Sequence, residues 1–283
     1  MSTQTERYKA QAFQPRNLVL FFLIALGLHW LWAALVFFGI LKQPSGFTDP
    51  IILLVGLAAW SPTIAAFVVT AITEGKPGLS ALWKRFWNRN VSLKWLIVTL
   101  LFVPAVWLVA NIVTRLLGGW ANPLFDRPAL FFAQFVIGLS AGLGEEFGWR
   151  GYVLPRFQAR WSALVSSLVL GLFWAAWHNQ VFINVILNPI SGGGFPQPAT
   201  WEFLVWIITS SVFLTWIFNN TNGSILMAVL FHAMMNAGSF FFWCCTSNWH
   251  WPAVLVAVAI LIVIIFGPKN LVRRRAVEEH ETP

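Results

Sequence analysis

Gly144-Glu145-Glu146-Phe147-Gly148-Trp149-Arg150 closes an apolar run that opens near Ala129. Read as part of a membrane-spanning helix, this stretch decides the fold. Two adjacent carboxylates and an arginine then lie inside hydrocarbon or at its edge, where a charge costs about 2.5–3.5 kcal/mol on insertion scales. Such residues persist when they pair or carry chemistry. Glu146 and Arg150 are four apart with the acid N-terminal, the favoured orientation for a helical ion pair, and are expected to form a structural pair. Adjacent helical residues point about 100° apart, so Glu145 faces elsewhere. It reads as a carboxylate without a local partner, and hence as the candidate for chemistry.

The composition fits that solvent. Of the 283 residues 58% are hydrophobic and only 10% are charged, with a mean hydropathy of +0.70. Soluble domains carry roughly 25% charged residues, so the chain is expected to be all-α, one polytopic membrane domain. Eighteen Trp suit the membrane interfaces, where that residue concentrates. The net charge of +8 records loops on one side of the bilayer and contact with anionic lipid heads. No nucleic-acid signature accompanies it, and no nucleic-acid partner is expected. Cys244 and Cys245 are neighbours in an apolar helix. They read as buried filler, not as a disulfide or a zinc site.

Working outward from the acidic stretch gives eight spans, near 18–41, 51–73, 93–117, 129–154, 161–186, 201–218, 224–243 and 252–266. Residues 1–17 precede them as a polar segment, 18–267 form the membrane domain, and 268–283 form a tail. The first apolar run is too long for the core of a signal peptide and reads as an uncleaved span. Ser61-Pro62 falls inside the second span and predicts a kink there. Residues 79–90 put Leu79, Leu82, Trp83, Phe86 and Trp87 on one face among Lys84, Arg85 and Arg89, as in a helix lying in the interface. Residues 188–200, with Gly192-Gly193-Gly194, read as a loop, and Asn219 to Gly223 as a tight turn before a helix. Of the 18 Lys and Arg, only Lys42, Arg115 and Arg127 fall on the side opposite the N-terminus. The positive-inside rule then places both termini in the cytoplasm, in what is expected to be the cell membrane.

His178, His232 and Asn236 are the other intramembrane polar residues of note; His29 is expected to serve packing. His232 and Asn236 share one helical face. At 1.5 Å per residue, Glu145, His178 and His232 lie about 18, 25 and 15 Å from the cytoplasmic ends of the fourth, fifth and seventh spans. An acid and two histidines at similar depth make a candidate site enclosed by those spans. A carboxylate in a low dielectric suits a general base acting on water. His178 could hold that water, and His232 with Asn236 could donate to an oxyanion. The same Glu145, His178 and His232 could instead hold zinc with an open position. No HExxH is present, so the metal-free glutamate mechanism is preferred.

Glu145-Glu146-x-x-x-Arg150, Trp174-x-x-x-His178 and His232-x-x-x-Asn236 resemble, in order and spacing, the three motifs of the CPBP family. These are the CAAX proteases and bacteriocin-processing enzymes, including type II CAAX prenyl endopeptidases. The resemblance covers about 130–240. Trp174, beside Phe173, stands where the family usually has Phe. The resemblance implies an eight-helix intramembrane endopeptidase opening toward the cytoplasm, acting on a peptide or protein substrate at the membrane. It implies Glu145 as the water-activating residue, His178 as its partner, and His232 with Asn236 as the oxyanion pair. Both a metalloprotease and a metal-free mechanism have been put forward for the family. The alternative from another class is a non-catalytic scaffold or immunity-type protein on the same fold. Retention of every motif residue favours the enzyme. A transporter reading lacks the repeated halves that transporters show.

Overall fold

Apolar sequence without water to bond its backbone forms helices. The computed structural model describes residues 13–42, 49–119, 128–178, 197–243 and 250–273, and every regular element among them is helical. In chain order these are α1 (Pro15–Phe37), α2 (Ile52–Ala59), α3 (Ser61–Thr73), α4 (Gly75–Phe86), α5 (Leu93–Leu116), α6 (Pro128–Glu146), a π-helical segment (Phe147–Val153), α7 (Leu154–Gln158), α8 (Ala163–Trp177), α9 (Gln197–Asn220), α10 (Ile225–Trp243) and α11 (His250–Phe266). Gly192 to Gly194, Cys244, Cys245, Arg127, and the ends 1–12 and 274–283 lie outside the described residues.

Among the described residues, four helices are long and apolar enough to cross a membrane: Pro15–Phe37, Leu93–Leu116, Pro128–Gln158 and Trp201–Asn220. Taken together, α2 and α3 are also long and apolar enough, bent by 64° at the break between them. The bend falls at Trp60, just before Ser61-Pro62, because Pro62 sits in the first turn of α3 with no N–H to continue α2. Three shorter apolar helices are Ala163–Trp177, Ile225–Gly238 and His250–Phe266.

Several boundaries differ from the sequence reading. The fourth span does not stop before Pro155 but runs through the π segment to Gln158. Pro155 follows the π segment directly, inside the continuous helix. The interfacial helix starts at Gly75, whose φ of +63° turns the chain out of α3, and it ends at Phe86. It keeps the expected two faces, with Leu82 buried and Trp83 and Trp87 half exposed. α9 begins at Gln197 and so takes in the last four residues of the expected loop.

α6 and α10 form the most extensive helix pair. Glycines explain their closeness. A Cβ on Gly138 would stand 2.8 Å from the Ala233 Cα, and one on Gly142 would stand 3.0 Å from the Val229 carbonyl oxygen. The π segment seats against α3 in the same way. A Cβ on Gly148 would come within 2.5 Å of the Pro62 carbonyl oxygen, which is backbone and cannot step aside. Gly148→Ala is therefore expected to cost about 1–3 kcal/mol by overpacking, read as a lowered detergent melting temperature. An unchanged melting temperature would show that α3 sits further off.

One end of the molecule is tied by polar contacts among its basic segments. Arg85 donates to the Gly151 carbonyl at 2.8 Å, and Arg156 pairs with Glu74. The backbone of Ala163 donates to Lys269 at 2.8 Å, and Asn220 donates to the Leu271 carbonyl at 2.7 Å. Gln158 and Asn219 exchange side-chain hydrogen bonds at 3.2 and 2.9 Å. Ser224 caps α10 by accepting from the Met227 N–H at 3.4 Å.

Candidate active site

The acidic stretch falls where α6 passes into the π segment. Single π turns inside α-helices are frequent at functional sites. Glu145 is 4% exposed, and Glu146 and Arg150 are fully buried. The expected pair forms: the Arg150 guanidinium stands 3.2 Å from Glu146 Oε2 and donates to Oε1 at 3.3 Å. His232, reaching down from α10, extends that pair. Its Nδ1 lies 2.7 Å from Glu146 Oε1. Glu146 thus holds Arg150 on its own helix and His232 on another, which a local ion pair does not require.

Glu145 does face elsewhere, but it is not without partners, and the sequence reading is corrected here. Its Oε2 accepts hydrogen bonds from two indoles, Trp174 at 2.6 Å and Trp149 at 3.2 Å. Its Oε1 faces His232 Nε2 at 3.7 Å, beyond direct hydrogen-bond reach. A water in front of that edge can bond both atoms at once. Trp149 was legible, since it stands to Glu145 as Arg150 stands to Glu146, four residues on. Trp174 comes from α8, and its indole is a donor that no local spacing announces.

His178 caps the C-terminus of α8. Its Nδ1 lies 2.8 Å from the Trp174 carbonyl oxygen. A carbonyl only accepts, so Nδ1 carries a proton there and donates. The ring lies 5.6 Å from the Trp174 indole. His178 therefore joins the group through Trp174. Asn236 is half-buried one turn beyond His232, with its Cβ over Gly138. His29 is a packing residue, as expected: its Nδ1 meets the Ala58 carbonyl at 3.2 Å and its ring lies 4.2 Å from Trp177.

Two buried carboxylates, one guanidinium and one imidazole pack together here. Burying such a group is tolerable because each charge has a partner. Three atoms still lack hydrogen bonds, Glu146 Oε2 and Arg150 Nε and Nη2. Among the described residues no three His, Cys, Asp or Glu side chains gather as a metal ion requires. Zinc on Glu145, His178 and His232 would need those side chains to close in.

Comparison with known proteins bears on this geometry. Residues 127–238 match the family described as Rce1-like type II CAAX prenyl endopeptidase. The match takes in α6, the π segment, α8, α9 and most of α10, and so every residue of the site. The chain is also similar to the CAAX prenyl protease 2 of Methanococcus maripaludis. The two are 30% identical over 186 residues, 61% of this chain and 68% of that protein.

Proposed function

The chain belongs to the CAAX protease family, a family of intramembrane proteases, and from that footing we propose that it hydrolyses a peptide bond of a membrane-associated substrate with water activated by Glu145. The observation that carries the reading is the Glu145 carboxylate, buried in a span with Oε2 held by two indoles and Oε1 turned to His232. Glu145 takes a proton from water as the oxygen attacks the scissile carbonyl. The oxyanion accepts from His232 Nε2–H, which is aligned by the hydrogen bond from Nδ1 to Glu146, and from the Asn236 amide. The proton held by Glu145 passes to the departing amine as the C–N bond breaks. His178, oriented by the Trp174 carbonyl, helps hold the water.

The five long spans, counting the bent pair as one, and the three shorter apolar helices support an eight-span arrangement with the site between the fourth, fifth and seventh. Both termini and the opening of the site face the cytoplasm in this reading. In its support, segments around Glu74, Arg85, Arg156 and Lys269 meet at one end. Single cysteines placed in residues 76–94 and 188–200, with Cys244 and Cys245 replaced, should label from opposite sides. Cytoplasmic labelling of 188–200 would invert the orientation.

The direct test is cleavage of a membrane-anchored peptide, prenylated or not, by the purified protein in vesicles, with metal content measured alongside. Asn236→Ala is expected to lower kcat about 10²–10³-fold with little change in KM. A normal kcat would remove Asn236 from the oxyanion role. Activity that vanishes with chelation, together with stoichiometric zinc lost in His232→Ala, would replace the glutamate mechanism with a metal-dependent one.

A further inference from the structure

We infer that Trp174 is a positioning residue for the reaction, selecting which oxygen of Glu145 is free to accept a proton; this rests on the reading of Glu145 as the base. Burial alone does not choose between the two oxygens of a carboxylate. Here the choice is made by the Trp174 indole, which donates to Oε2 at 2.6 Å, the shorter of the two bonds to that oxygen. Oε1 is left facing His232 Nε2. Trp149 lies one turn from Glu145 on the same span and moves with it. Trp174 comes from α8, so it alone of the two fixes Glu145 relative to another helix.

The ring that does this is itself held. Trp174 is 1% exposed. The Arg150 guanidinium lies over its face at 4.7 Å, an attractive cation–π arrangement, and the His232 ring is 5.7 Å away. Its main-chain carbonyl accepts from His178 Nδ1, which leaves Nε2 of that imidazole as the acceptor in the neutral ring. Through side chain and backbone, this one residue sets the free oxygen of Glu145 and the tautomer of His178. A shift of α8 relative to α6 would disturb both together.

The test removes the N–H and keeps the ring. Trp174→Phe, and benzothienylalanine installed at the same position to preserve the indole shape, are expected to lower kcat about 10–100-fold, as for a hydrogen bond to a charged group. KM should stay near wild type in both, and the melting temperature near wild type with benzothienylalanine, whereas Trp174→Phe empties part of a buried site and should melt lower. In a Glu145→Gln background the same replacement should change the residual rate by less than about twofold, since the two residues act as one unit. A readout apart from activity is the indole 15N–1H resonance of Trp174 in detergent, assigned by its loss in Trp174→Phe. It should move in Glu145→Ala. An unchanged kcat in both Trp174 variants, or an indole resonance indifferent to Glu145→Ala, overturns the positioning role while leaving the proposed reaction standing. Full activity of Glu145→Gln overturns it from the other side, by removing the base that Trp174 would position.

Discussion

Glu145→Gln is expected to lower peptide-bond cleavage by about 10²–10⁴-fold, the usual loss when a general base is removed. The substitution keeps the size of the side chain and, through its single amide oxygen, the ability to accept from the indoles of Trp149 and Trp174. It removes the capacity to take a proton from water. Membrane insertion and melting temperature should therefore remain near wild type, and KM should change less than kcat. The measurement is steady-state cleavage of an anchored peptide by purified protein in vesicles. Cleavage at the wild-type rate would remove Glu145 from the chemistry.

Arg150→Ala is expected to do the reverse and strike stability. Arg150 is fully buried, stands 3.2 Å from Glu146 and lies over the Trp174 ring. Its removal strands a buried carboxylate, at about 3–5 kcal/mol for breaking one side of such a pair. His232 stays as a contact of Glu146 at 2.7 Å and softens the loss, so the lower end of that range is the expectation. Glu146→Gln should also destabilise, and it should impair activity further by freeing His232. Detergent melting temperatures of the three variants give the comparison. Equal values for Glu145→Gln and Arg150→Ala would show that Arg150 is not a structural partner.

The long apolar helices could be read from the sequence because hydrocarbon leaves the backbone few choices, and segments such as Leu93–Leu116 end within a residue or two of expectation. The Glu146–Arg150 pair was equally open, being set by helical spacing alone. The π segment was not. Nothing in Phe147 to Val153 calls for a wider turn over an α turn; close seating of Gly148 on Pro62, and of Gly151 on Leu82 and Ile225, accompanies it. The contacts of Glu145 with Trp174, and of Glu146 with His232, join different spans. A helical face can be read from one segment, but the partner across the interface depends on how two segments are rotated and displaced against each other. The sequence therefore offered Glu145, His178 and His232 as one candidate group. It did not say that Trp174 stands between two of them or that Glu146 anchors the third.

The π segment also bears on how this region can change in length. A π turn holds more residues than an α turn over the same rise, so it amounts to an α-helix carrying a surplus residue. Glu145 and Glu146 lie before it, and Pro155 and Arg156 lie after it. Loss of one codon between Gly151 and Val153 would let the segment relax to α, keeping the span continuous and the two ends in phase. The same loss inside α6 has no surplus to draw on. It would rotate everything upstream by about 100°, carrying Gly138 and Gly142 off the face that α10 occupies. Across one uninterrupted span, then, tolerance to deletion is uneven, concentrated in the residues just past the acidic stretch and withheld from those before it.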